Sequence, residues 1–173
     1  GKLGIIFNQE PNRENLRIAT WEGYLANNLY KEIFFDPYFQ KLYSEAIKKD
    51  PLAYPKRRYF LDPSEGLANH IALALVHYDE FNFDHPLFKE FLSKSDSKVL
   101  AEFISFIGRM YTSGSNSDAN KAVRTDLAKK KLKDLWDWSI DHHKDEVLVQ
   151  FEYWMNNEKH IFDVPWLADH ILK

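Results

Sequence analysis

The stretch Asp62 to Asp79, DPSEGLANHIALALVHYD, constrains the fold more than any other part of the chain. Asp62 can cap a helix, Pro63 suits its first position, and Glu65 can reach back as the third-position partner of a capping box. Beyond that start, Leu67, Ile71, Ala74, Leu75 and Tyr78 fall on one helical face, while Leu73 and Val76 cover much of the other. A helix with so little polar perimeter has to be enclosed by neighbours on several sides. The expectation is therefore an all-α protein with this helix near its centre.

The rest of the chain reads the same way. From Glu14 the pattern turns helical through Trp21, Tyr24 and Leu25, with Asn27-Asn28 as its stop. A second helical stretch covers Leu29 to Lys49. Pro37 disfavours a helical Asp36, so an interruption is expected at Asp36-Pro37. Asp50 to Leu61, with Pro51 and Pro55, reads as a connecting loop, and residues 80–85 as an aromatic turn. Pro86 opens a short helix, and the run Ser95-Asp96-Ser97 offers caps for the next. Residues 112–120, TSGSNSDAN, form a low-complexity segment expected to be a mobile loop. A long helix to about Ser139 follows, buried through Ala128, Leu132, Leu135 and Trp136, then one from Asp145 and a last one after Asp163-Val164-Pro165.

That makes about eight helices in a single domain spanning 1–173, arranged as antiparallel helix pairs stacked into an α-α superhelix or as an irregular bundle. No strand alternation or hairpin turn competes with this reading. A faint internal echo favours stacked pairs. Phe35-Asp36-Pro37, Phe83-Asp84-His85-Pro86 and Phe162-Asp163-Val164-Pro165 each place an aromatic, an Asp and a Pro ahead of a helix. The first two are separated by roughly the ~40–47 residues of a HEAT or armadillo repeat. The chain opens on Gly1 rather than Met, and Leu3, Ile5, Ile6 and Phe7 are apolar enough to pack on the first helices. The Gly1 start, and a last helix barely made when the chain stops at Lys173, suggest a fragment of a longer chain.

Composition narrows the function. The formal net charge of −3 supplies no global field for nucleic acid or anionic membranes. With no cysteine there is no disulfide or thiolate site, which fits a reducing, cytoplasmic setting. No segment reaches the ~18 apolar residues of a membrane span. Aromatic residues make up 16% of the chain, enough to fill a large core or to leave anchors for a partner.

Candidate chemistry is sparse. His70 and His77 share a helical face, but Leu73 and Ala74 stand between them where a metal site would need a ligand, so both read as hydrogen-bonded at the core's edge. His142, His143 and Glu146 sit at a helix junction and read first as a solvated corner, with an unfamiliar all-α enzyme as a remote alternative. No nucleophile elbow or Gly-rich phosphate loop occurs. No catalytic residue, metal ligand or cofactor is therefore expected. The sharpest polar feature is the segment Lys121 to Lys133, with six basic residues and one acid, followed from Asp134 onward by nine acids and three bases. Lys129, Lys130 and Lys133 are the candidate contacts to nucleic acid or another anionic partner. The bland account pairs Asp126 with Lys130, Lys130 with Asp134 and Lys133 with Asp137 along an exposed face.

Trp21-Glu22-Gly23-Tyr24-Leu25, Phe39 to Ile47, Trp136-Asp137-Trp138 and Phe151-Glu152-Tyr153-Trp154 give the chain a texture that resembles HEAT-like helical regions of large bacterial multidomain proteins. It looks like the tails behind sirtuin-like or nucleotide-hydrolysing domains of phage-defence proteins. The resemblance implies a non-catalytic scaffold or regulatory module that contacts a protein partner or other domains of its own chain. A nucleic-acid-binding module using Lys121–Lys133 is the alternative.

Overall fold

The computed structural model describes residues 14–48, 63–112, 121–142, 145–155 and 162–171, the side chains of 14–19, 63, 112, 164, 167 and 171 excepted. Among these residues every regular element is helical: α1 (Glu14–Leu25), α2 (Lys31–Phe34), α3 (Pro37–Ile47), α4 (Pro63–His77), α5 (Pro86–Lys94), α6 (Ser97–Thr112), α7 (Asp126–His142), α8 (Asp145–Leu148), α9 (Glu152–Met155) and α10 (Val164–Ile171). A 3-10 turn, Val149–Phe151, joins α8 to α9 head to tail, so 145–155 acts as one rod. The all-α expectation is met, with helices packed on helices. The expectations for Leu3, Ile5, Ile6 and Phe7, for the 50–61 loop, for the Asp62 cap and for 113–120 lie outside the described residues. Thr112, expected to begin the loop, closes α6 instead.

Local chemistry sets the helix starts. The Asp36 carboxylate accepts from the backbone N–H of Tyr38 at 2.9 Å and of Phe39 at 3.3 Å, with Pro37 just inside α3. This splits the 29–49 stretch where Pro37 demanded it. Asp163 caps α10 through the Trp166 N–H at 2.9 Å, and Asp96 accepts from the Lys98 N–H at 2.8 Å. At α5 the cap is His85, whose Nδ1 accepts from the Leu87 N–H at 3.2 Å. Thr125 performs the same service for α7.

Helix α4 is enclosed as its sequence demanded. Leu67, Ala68, Ile71, Ala72, Ala74, Leu75 and Val76 are buried, and α1, α3, α6 and α7 all pack against it. His70 is buried, but His77, on the last turn, is exposed, so the two do not share an environment.

Contacts along the helices fix their directions. Tyr78, just past the end of α4, meets the rings of Phe34 and Phe35, just ahead of α3, so α3 and α4 are antiparallel. Phe35 also meets His85 at the start of α5, while Lys48 past the end of α3 pairs with Glu90 at 2.9 Å, so α3 and α5 run the same way. The first turns of α4 and α6 border one cleft, which makes those two parallel. Gln150 reaches that same cleft, and Trp154 donates its indole N–H to the Ile104 carbonyl at 2.9 Å, so the α8–α9 rod runs with α6. The first two Asp/Pro openings therefore start adjacent, co-directional helices, and α4, α6 and the α8–α9 rod form a second rank. Rings fill the interior: Phe81, Phe88, Phe91 and Phe103 interlock on one side, and Trp136, Phe151, Trp154, Phe162 and Trp166 on the other.

Candidate functional site

Thr125 starts α7 inside the basic segment, and the helix distributes its cations unequally. Lys130 is exposed, Lys129 and Lys133 are half-buried, and Lys131 is buried. Lys131 falls three residues after Ala128 and four before Leu135, on the apolar stripe of α7. Its ammonium reaches the C-terminal end of α4, donating to the backbone carbonyls of Leu75 at 3.0 Å, Tyr78 at 2.7 Å and Phe81 at 3.0 Å. One charged donor thus serves three carbonyls at and just beyond the end of α4, of which that of Tyr78 also accepts from the Phe81 N–H at 3.0 Å. Burial lowers the Lys131 pKa, and the negative charges of Asp79 and Glu80 oppose that shift. This residue is a clasp, not part of a surface for anions.

The remaining cations differ from the expected ladder. Lys133 pairs with Asp163 of α10 at 3.4 Å rather than with Asp137, and its ammonium lies 5.1 Å from the Trp166 ring centre. Asp137 instead faces His170 at 3.6 Å. Among the described residues no ion pair joins Lys130 to Asp126 or Asp134. Arg124 donates to the Tyr111 carbonyl at 3.0 Å and lies over that ring. The three lysines singled out as contacts thus divide into an exposed Lys130, a half-buried Lys129 and a Lys133 already engaged with α10.

A second polar group lies at the centre of the fold. His70 Nε2 faces the Asn27 carbonyl at 3.0 Å, so that nitrogen carries the proton. Nδ1 is then the acceptor, and the Tyr43 hydroxyl, 2.7 Å away, donates to it. Tyr43 having spent its proton, the Tyr24 hydroxyl at 3.1 Å donates to Tyr43. Burial lowers the His70 pKa and raises that of Tyr43 well above the ordinary phenol value. The relay ties α1, α3 and α4 together through one directional chain.

The cleft at the first turns of α4 and α6, edged by Ser64, Glu65, Lys98, Glu102 and Gln150, has a volume of about 220 Å³, below the usual range for small-molecule sites. Among the described residues no three metal-capable side chains gather. His142 is spent locally, with Nδ1 2.8 Å from the Trp138 carbonyl and its ring stacked on that indole. His143 lies outside the described residues, and Glu146 is exposed. No described helix is long and apolar enough to cross a membrane.

The described residues also offer an outer surface for contact. Large apolar side chains emerge at Tyr30, Leu127, Ile140, Val149 and Tyr153. No family model, curated protein or solved structure matches the chain. Its function is therefore argued from this surface and from the stacking beneath it.

Proposed function

We propose that the chain is a non-catalytic helical interaction module, a scaffold or regulatory segment of a larger cytoplasmic protein, built from stacked helix pairs of the HEAT-like kind. The observation that carries this reading is the co-directional stacking of α4, α6 and the α8–α9 rod beside the parallel pair α3 and α5. Stacked pairs bury their apolar faces on neighbours and offer a broad lateral surface to other proteins. Among the described residues the buried titratable side chains His70, Tyr43 and Lys131 are all occupied in holding helices together. A bacterial parent of the sirtuin-like or nucleotide-hydrolysing defence type is the setting that the sequence texture suggests.

The test is made in the full-length parent, with Tyr30, Leu127, Ile140, Val149 and Tyr153 all replaced by serine. The expected result is unchanged helical circular dichroism together with loss of chemical cross-links from this segment to other domains or subunits. Cross-links that survive this variant, together with parental activity that survives deletion of the whole segment, would refute the proposal. Binding of nucleic acid through α7 is a second reading, favoured by the exposed Lys130 beside Lys129. It has less charge available than the sequence suggested, because Lys131 and Lys133 are engaged. A gel shift at low salt that K129E/K130E abolishes would support it, and absence of any shift would remove it.

A further inference from the structure

We propose that the outer face of the α8–α9 rod docks a basic amphipathic helix of a partner protein. The partner's apolar stripe covers Val149 and Tyr153, and its lysines or arginines meet Asp145, Glu146 and Glu152. This inference rests on the interaction-module reading and names where the contact is made and by what.

The rod divides cleanly by face. Val147, Phe151 and Trp154 are buried, Phe151 against Trp136 of α7 and Trp154 against α6, whereas Asp145, Glu146, Val149, Glu152 and Tyr153 are exposed. Those exposed positions recur at one, four, seven and eight residues from Asp145, which is the stripe of a single helical face. Two large apolar groups sit in that stripe, with Val149 53% and Tyr153 42% exposed. Every charged residue of 145–155 is an acid, so the rod itself carries only negative charge beside the apolar pair. An apolar pair bordered by one sign of charge is complemented by an apolar stripe bordered by the other. An acidic partner would be repelled, and a neutral one would leave three carboxylates desolvated without compensation.

Two features suit this face to a helix rather than a loop. The rod packs along α6, so an incoming helix on its exposed face repeats helix-on-helix packing that the fold already uses. Tyr153 is also held at its base, because its Cβ abuts Gly108 of α6 while its ring stays half exposed. An aromatic anchor fixed at one end loses little freedom on binding.

The experiment uses a labelled synthetic helix of about 14 residues, long enough to span the rod at 1.5 Å per residue. Its leucine stripe is flanked by lysines, and a twin carries glutamates instead. Fluorescence anisotropy is read with the chain as it stands and with V149S/Y153S, E146K/E152K and L127S. The expected result is binding of the lysine peptide alone, weakened roughly tenfold or more by V149S/Y153S. E146K/E152K should weaken it as well and flatten its salt dependence, while L127S should leave it unchanged. V149K, which leaves Tyr153 in place on α6, repeats the test without disturbing that contact.

Equal binding of both peptides, binding indifferent to V149S/Y153S and V149K, or no binding at millimolar peptide would overturn the proposal. So would self-association through the same face, read by sedimentation. If the five-serine variant of the parent loses its cross-links while V149S/Y153S keeps them, this location fails and the module reading stands.

Discussion

Lys131 shows most directly how a charged side chain can serve the interior. Its ammonium replaces water at the Leu75, Tyr78 and Phe81 carbonyls, where the backbone of α4 runs out of internal donors. Lys131→Met keeps the volume and removes the donor. Urea unfolding should then show a loss of about 3 kcal/mol, because three carbonyls, two of them in buried bonds, lose a charge-assisted donor. Lys130→Met, one residue away on the exposed face, should stay within about 0.5 kcal/mol of the parent chain. His70 makes a second residue-level prediction, in pH. Burial holds its folded pKa below the value of about 6.5 that it takes when unfolded. Well above that pH neither state binds the proton. As pH falls through about 6.5 the unfolded chain takes up a proton that the folded chain resists, so stability declines until the folded imidazole titrates too. His85, also lowered by burial, acts in the same direction. The urea midpoint should therefore drop between neutral and mildly acid pH, and His70→Phe should be less stable overall but lose part of that dependence.

At the level of the elements, two glycines on helices have opposite meanings. A Cβ on Gly108 of α6 would stand 2.8 Å from both Trp154 Cδ1 and Tyr153 Cβ, closer than atoms pack. Gly108 is thus the reason that α6 and the α8–α9 rod approach closely enough for Trp154 to donate to the Ile104 carbonyl. Gly23 of α1 has open space around it. Thermal unfolding should show Gly108→Ala destabilised by about 1–3 kcal/mol from overpacking, and Gly108→Val more so. Gly23→Ala should gain about 0.5–1 kcal/mol from helix propensity alone. Equal signs for the two substitutions would contradict this account of the contact. The start signals were readable at this level because caps are local chemistry: Asp36-Pro37 and Asp163 act where their residue types predict. His85 and Thr125 were overlooked as caps, the first because a histidine accepts only in one tautomer and leaves no compositional mark.

For the molecule as a whole, periodicity carried the architecture. The enclosure of α4 follows from Leu67, Ile71, Leu75 and their neighbours wrapping most of the helix, and no alternative class can hide such a surface. The surface chemistry was less legible. Charge patterning treats every lysine of α7 alike, yet Lys131 turns inward because its partners, the carbonyls of a helix some fifty residues earlier, leave no trace in local sequence. Lys133 likewise chooses Asp163 over the nearer Asp137 because α10 lies against α7, a tertiary fact. The packing that decided these outcomes also predicts where the fold is firmest. Helix α4 touches α1, α3, α6 and α7, and α6 touches α4, α8 and α9. Opening either one exposes several apolar faces at once. Among the described side chains, helix α10 is held by Trp166 against Phe162 and Trp136, by the Lys133 pair at its start and by His170 facing Asp137. Such an edge can open without disturbing α4 or α6. Hydrogen exchange should find the slowest amides in α4 and α6, moving together with the global unfolding free energy under added urea. Amides of α10 should exchange faster and with little urea dependence, and Trp166→Ala should accelerate them while leaving α4 unchanged. Equal protection of α10 and α4 would mean that the helices open only as one unit, contrary to this account.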